Sequence, residues 1–331
     1  HPEKDLRIIH IAGTNGKGSV SAFLRSVFEC AGLKTGMFTS PHLVDFRERI
    51  QVQGDMISKE DTMRLGNRLL SMDFGVYPTM FDYCLAMALL YFKEQKCDVV
   101  ILETGLGGTY DSTNACGVPD VTVIAKIGFD HMAILGDTLA KIAAEKAGII
   151  KHGTALVLES QEKEAMDVLN KAAERADIET TKVINLDEIR ILPQKDGKQC
   201  FSYAGYNAVT MKMLGVHQYE NAVAAMLAAE LFFEKYFAGK KNVPERKALQ
   251  YAIREGIDRT QWMGRMELVS NNPFFLMDGA HNSNGVEALK KSLETMYPDE
   301  KFHFIMGVMA DKDYGEMIRE LLPLALDFKT V

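Results

Sequence analysis

The sequence has few of the features that would place it outside the ordinary globular class. It has five cysteines, Cys30, Cys84, Cys97, Cys116 and Cys200, with no Cys-x-x-Cys pair and no histidine at zinc-finger spacing. An odd, scattered set of this kind argues against a disulfide framework or a structural zinc and predicts reduced thiols in a cytoplasmic protein. Long hydrophobic runs are also absent. Stretches such as residues 99–102 are far too short to span a bilayer, and nothing resembles a signal peptide, so no membrane partner is expected. There is no basic excess either. A net charge of −7 argues against a nucleic-acid or anionic-membrane binder, whose affinity would rest on a positive surface. No internal repeat or low-complexity stretch is evident. What remains is a chain of 331 residues, 47% hydrophobic and 25% charged, long enough for one large domain and part of another.

The pattern along the chain is apolar strand, loop, amphipathic helix, repeated. Residues 6–12 read as a buried strand. The residues Val20, Phe23, Leu24, Val27 and Phe28 then fall at i, i+3, i+4, i+7 and i+8, which makes one apolar helix face. Ser58 with Asp61, and Thr79 ahead of residues 81–93, carry N-cap signals for two further helices. Strands are expected at 36–39, 98–103, 120–127 and 155–158, and helices at 138–149, 161–176 and 218–237. Residues 191–214 break the rhythm and read as a β-hairpin around Asp196-Gly197. A second rhythm starts near Trp262, with strands at 266–269, 274–277 and 302–306 and helices at 286–296 and after Tyr314. Helix-separated strands imply an α/β fold with a doubly wound, mostly parallel sheet. The expected division is a nucleotide-binding domain at 1–261 and the start of a second, smaller Rossmann-like domain at 262–331.

Five segments point to chemistry. Gly13-Thr14-Asn15-Gly16-Lys17-Gly18-Ser19 lies at a strand-to-helix junction, where unpaired N–H groups and the helix dipole suit an anion. Lys17 can reach β- and γ-phosphates, and Thr14 and Ser19 offer hydroxyls. The strict pattern G-x-x-x-x-G-K-[ST] is not met, because Gly18 separates Lys17 from Ser19. Glu103 ends an apolar strand, where nucleotide-binding sheets present a magnesium ligand. Past the glycines that follow it, Asp111 and Asn114 could cap the next turn or touch substrate. His131 ends another strand; magnesium prefers oxygen, so a lone His there reads first as structural. Lys146, near a helix C-terminus, reads first as a solvated cation. Asp278-Gly279-Ala280-His281-Asn282 leaves a strand where α/β sheets bind ligands, just after Arg265, a natural clamp for phosphate or carboxylate.

In order along nearly the whole chain, these residues resemble the folylpolyglutamate synthase / dihydrofolate synthase family of the Mur-ligase group. The matching stretches include residues 10–19, Thr39-Ser40-Pro41-His42-Leu43 and Glu103-Thr104-Gly105-Leu106-Gly107-Gly108. They continue with Asp130-His131, Glu145-Lys146-Ala147-Gly148, His217-Gln218 with Asn221, Gly264-Arg265, residues 278–282 and Asp311-Lys312-Asp313. The resemblance implies that Gly13, Thr14, Asn15, Gly16, Lys17, Gly18 and Ser19 hold the ATP phosphates, with Asn221 at the adenine. It further implies Ser40, Glu103 and His131 as ligands of Mg²⁺, two ions being expected, and Lys146 as a carbamylated lysine. Arg265, Asp278 and His281 would bring the second domain's phosphate and glutamate contacts, with Pro41 and His42 in the substrate loop. Three departures stand out: Thr109 replaces a family Arg, Met132 a Thr, and Ser283-Asn284 alters the family's Asn-Pro sequence.

The implied reaction is ATP-dependent addition of L-glutamate to a folate or dihydropteroate carboxylate through an acyl phosphate, by a monomer. Lys17, His131, Lys146, Asp278 and His281 would carry it. A muramyl-peptide-type ligase and a nucleotide-binding switch are the rival readings. The resemblance also implies further chain before His1 and after Val331.

Overall fold

A computed structural model describes residues 1–240, 243–309 and 312–331; Asp311 of the Asp311-Lys312-Asp313 match lies outside them. The chain runs β1 (Ile8–Ala12), α1 (Lys17–Cys30), β2 (Thr35–Phe38), β3 (Ile50–Val52), β4 (Asp55–Met56), α2 (Lys59–Leu70), α3 (Met80–Glu94) and β5 (Val99–Glu103). It continues through β6 (Val121–Ile124), α4 (Met132–Leu135), α5 (Leu139–Ala147), β7 (Ala155–Leu158), α6 (Lys163–Arg175) and β8 (Thr181–Val183). Eight strands form one sheet in the order β4-β3-β2-β5-β1-β6-β7-β8. Strands β2, β5, β1, β6, β7 and β8 run parallel, with β3 and β4 antiparallel at one edge. The strands β1, β5, β6 and β7 are buried along their whole length, as expected of parallel strands covered on both faces. After β1 the chain turns toward β2, and after β5 it crosses to β6 on the other side of β1. The carboxyl ends of β1, β5 and β6 therefore border the crevice where sheets of this topology bind ligands.

Next come β9 (Arg190–Lys195), β10 (Lys198–Tyr203), β11 (Tyr206–Met211), α7 (Gln218–Phe237) and α8 (Arg246–Arg259). The single hairpin expected at 191–214 is a three-stranded antiparallel sheet in the order β11-β10-β9. Asp196 and Gly197 both take positive φ, which suits a tight hairpin turn. The second turn, Ala204-Gly205, also takes positive φ at both residues. Alanine rarely adopts that conformation, so the sequence does not signal the turn. Helix α7 is buried on nearly every side, and Phe28 of α1 packs on Phe232 and Phe233 at ring-centroid distances of 4.9 and 5.5 Å. Helix α8 falls where no element was expected. Its buried face is Ala252, Ile253, Gly256 and Ile257, too small and broken to stand out by hydrophobicity.

The remainder is β12 (Glu267–Asn271), β13 (Phe274–Met277), α9 (Ser283–Met296), β14 (Phe302–Met306), α10 (Tyr314–Leu321) and β15 (Ala325–Thr330). Here β12 and β13 form a hairpin, β14 and β15 pair in parallel, and Val286, Met317 and Leu321 make a small separate core. The N-cap signals hold: Ser58 accepts from the Asp61 N–H, and Thr79 and Asp82 form a capping box. Among the described residues no helix is long and apolar enough to cross a membrane.

The crossing of α1 and α8 is set by a missing side chain. A β-carbon at Gly256 would lie 2.4 Å from the Val27 α-carbon, and backbone cannot swing aside as a side chain can. Gly256→Ala should therefore lower the unfolding free energy by about 1–3 kcal/mol despite its better helix propensity. Urea unfolding measures this, and an unchanged or raised midpoint would contradict the packing described.

Candidate nucleotide and ligation site

The loop from Gly13 to Ser19 is held from behind by the exit of β6. The N–H groups of Thr14 and Asn15 both donate to the Lys126 carbonyl, at 2.8 and 3.1 Å. The Thr14 hydroxyl donates to the Gly128 carbonyl and accepts from the Gly128 N–H, each at 3.0 Å. The hydroxyl that the sequence offers for a phosphate is here engaged with the β6 exit. Gly16 takes φ +87° at the N-cap of α1, a left-handed conformation that favours glycine. A β-carbon there would lie 2.4 Å from Asn221 Oδ1, and one at Gly18 would lie 2.9 Å from Trp262 Nε1. The loop is thus pressed between α7 and the segment leading to β12, with the first N–H groups of α1 turned to the crevice. The buried Ser19 hydroxyl accepts from Gln218 Nε2 at 3.3 Å, and Gln218 Oε1 accepts from Asn221 Nδ2 at 2.9 Å.

Two lysines converge on one carbonyl. Lys17 Nζ donates to Gly13 O at 3.1 Å and to Thr14 O at 3.3 Å, and Lys146 Nζ donates to the same Gly13 O at 2.8 Å. Lys146 is not the solvated cation first expected. It is 4% exposed, and burial, aided by the nearby Lys17 charge, lowers its pKa to about 7. A lysine so buried has a substantial neutral fraction at neutral pH, unlike one on a surface.

Glu103 closes the crevice on the β5 side. It is 4% exposed, its Oε1 lies 4.0 Å from Lys17 Nζ, and its Oε2 takes a long 3.4 Å hydrogen bond from the Ser40 N–H. Burial raises its pKa, against the pull of Lys17 and Arg265. A buried carboxylate with so little hydrogen bonding is a hard oxygen donor with capacity to spare, which fits magnesium. His131 stands apart. It takes φ +49° at the start of α4 with its ring half exposed, and Nε2 lies 3.8 Å from Asp130 Oδ1. Among the described residues no three His, Cys, Asp or Glu side chains converge as a metal centre on their own. Glu103 or His131 would hold a metal ion only with phosphate or water oxygens beside it.

The turn after β13 brings the second unit to the loop. Asp278 is a capping carboxylate: Oδ2 accepts from the Met266 N–H and Oδ1 from the Ala280 N–H, each at 2.8 Å. Arg265 donates to Gly264 O at 3.0 Å, and its charge is felt at Glu103. His281 lies with Nε2 3.6 Å from Asp130 Oδ2, and the Asp130 carboxylate beside it raises its pKa. Asp130 itself gathers Lys312 Nζ at 2.6 Å and Asn282 Nδ2 at 3.0 Å. Burial opposes its charge, but these partners hold its carboxyl well below the usual range. The sequence marked Asp130 and Lys312 only as parts of longer matches; their pairing across 182 residues carried no local signal.

The remaining candidates have plainer surroundings. His42 Nδ1 accepts from Arg49 Nε at 2.9 Å, in the half-exposed loop that also carries Pro41. Asp111 caps its turn, accepting from the N–H groups of Leu106 and Thr113 at 2.7 and 3.0 Å. Asn114 Nδ2 ties Thr109 O to Gly148 O. Both side chains therefore serve the turn, the first of the two roles open to them. Thr109, at the family's Arg position, fastens to the Glu145 carbonyl through both its N–H and its hydroxyl, and so packs the loop onto the end of α5 that carries Lys146.

Residues 11–229 match the Mur ligase middle domain and residues 264–328 the Mur ligase glutamate ligase domain. The dihydrofolate synthase/folylpolyglutamate synthase of Bacillus subtilis is 40% identical over 98% of this chain and 76% of its own length. A folylpolyglutamate synthase complex with AMPPCP and folate superposes with a TM-score of 0.83 at 29% identity, covering all of this chain and 80% of that one. Escherichia coli FolC in complex with DHPP and ADP gives 0.82 at 28% identity, over 97% of this chain and 73% of that one.

The lowered pKa of Lys146 has a signed consequence. The unfolded lysine holds its proton up to about pH 10.5 and the folded one only to about pH 7. Between these values the unfolded chain binds more protons, so stability rises with pH across that window and the penalty is complete below it. In CO₂-free buffer, Lys146→Met should stabilise the fold by a few kcal/mol more at pH 6 than at pH 10. A difference in unfolding free energy that does not change with pH would show the lysine to be ordinary.

Proposed function

The chain belongs to the Mur ligase family, among the folylpolyglutamate and dihydrofolate synthases, and from that premise we propose that it joins L-glutamate to a folate or dihydropteroate carboxylate at the expense of ATP. The observation that carries this reading is the convergence of Lys17 and Lys146 on Gly13 O beside the buried Glu103. Positive charge, a metal-binding carboxylate and helix N–H groups meet where a transferring phosphoryl group would sit.

In the first step a carboxylate oxygen of the pterin substrate bonds to the γ-phosphorus and the bond to the ADP oxygen breaks. The glutamate amine then attacks the acyl carbon. The C–O bond to phosphate breaks, phosphate leaves and one proton passes to solvent. Lys17 and the α1 N–H groups hold the phosphates, and Arg265 and His281 approach from the second unit, which excludes water from an easily hydrolysed acyl phosphate. Magnesium, in two sites, would be held by Ser40, Glu103 and His131 and would neutralise phosphate charge. Lys146 supports a carbamate: its neutral amine can bond to CO₂ with loss of a proton, which turns the cation into an oxygen-donor anion. We place the boundary of the two ligase units between residues 261 and 262, just ahead of residue 264, where the match to the glutamate ligase domain begins. Five unpaired cysteines support a cytoplasmic setting, and we take the active species to be a monomer.

ATP turnover by the intact enzyme should depend on both the pterin substrate and glutamate. Turnover indifferent to both would reject ligation in favour of a simple ATPase. Lys17→Ala should abolish product while leaving the thermal midpoint near wild type, and wild-type rates in that variant would remove the loop from the mechanism. For Lys146, bicarbonate should restore activity to CO₂-depleted enzyme. Equal rates with and without it, together with an unmodified lysine by mass spectrometry, would dispose of the carbamate.

A further inference from the structure

Asn282 stands where three segments remote in sequence meet. Its Nδ2 donates to Asn15 Oδ1 at 3.2 Å and to Asp130 Oδ2 at 3.0 Å. Its Oδ1 accepts from Asn15 Nδ2 at 3.3 Å and from the Gly285 N–H at 2.8 Å. An amide has two donor hydrogens and two acceptor lone pairs, and here all four are used. Asn282 is 5% exposed and Asn15 half-buried, so these bonds are made at the edge of the interior.

Asn15 belongs to the phosphate loop by its backbone, but its side chain turns away from the helix N–H groups and exchanges two hydrogen bonds with the second unit. Asn282 in turn caps α9 and directly follows His281, and Arg265 lies against the same turn through Gly264 and the Gly279 N–H. A displacement of the loop is therefore passed, through one rigid amide pair, to the residues that approach the phosphate from the other side. Lys312 on Asp130 fastens the same junction from beyond α9.

We propose that Asn15 and Asn282 are a positioning pair that couples occupancy of the phosphate loop to the seating of Arg265 and His281. Asn15 is then not a phosphate ligand through its side chain. This rests on the ligase reading above. A reciprocal amide pair suits the task, because each hydrogen bond is modest and neutral, and the pair can open for substrate exchange and re-form without trapping charge.

The variants Asn15→Ala, Asn282→Ser and the double test this, serine being chosen because it still caps α9. The chain has one tryptophan, Trp262, packed on Gly18, so its fluorescence reports nucleotide at the loop without any turnover. Each single variant should lose about tenfold or more in kcat for ligation, with the Mg-ADP dissociation constant within about threefold of wild type, and the double should be no worse than the poorer single. Losses that multiply in the double, or a nucleotide affinity that falls by the same factor as kcat, would overturn the pair. Should wild-type enzyme bind Mg-ADP but ligate nothing, the ligase reading fails on its own. The pair is then judged by the nucleotide-induced change in Trp262 fluorescence: an altered amplitude in both singles supports it, and a wild-type amplitude in either refutes it.

Discussion

The carbonyl of Gly13 is the point on which the site is built. A backbone carbonyl at the tip of a parallel strand would ordinarily face water or the next turn, but here it draws the ammonium groups of Lys17 and Lys146 to one place. Lys146 can reach it only because α5 ends beside the loop, and α5 is held there by Thr109 and Asn114 on the opposite side of the sheet crevice. Burial disfavours the charged form of Lys146 and the nearby Lys17 charge adds to this, so the buried lysine gives up its proton more readily than a surface one.

The glycine loop departs from the general Walker spacing, and its surroundings explain its shape. Gly16 and Gly18 are both places where a side chain would strike a neighbour, Asn221 on one side and Trp262 on the other. The extra glycine between Lys17 and Ser19 lets the first turn of α1 slide beneath the indole. In the same crowded space Ser19 is bound to Gln218, so the nucleotide site is continuous with α7 and the core behind it.

Much of the fold could be read from periodicity, because buried parallel strands such as β5 and β7 are uninterrupted apolar runs and α1 shows one apolar face. Elements held by small residues or strained turns could not. Helix α8 is buried through Ala252 and Gly256, and the turn at Ala204-Gly205 asks alanine for a conformation it rarely adopts. At the site, the glycine loop, Glu103 and the turn after β13 were legible because each sits at the end of a strand. The burial of Lys146, the engagement of Thr14 and the grouping of Lys312, Asn282 and His281 around Asp130 were not. They depend on distances between segments that no local pattern records.

The reciprocal bonds between Thr14 and Gly128 span 114 residues. During synthesis, β1 and the glycine loop leave the ribosome long before the strand that braces them. Until β6 is in place the loop has no backing, and its N–H groups are held in no fixed array. The nascent chain thus carries the glycine loop through about half of the making of its first domain without a site that can grip a nucleotide. Cellular ATP, abundant from the outset, cannot stabilise the early intermediates and rewards only the nearly finished sheet.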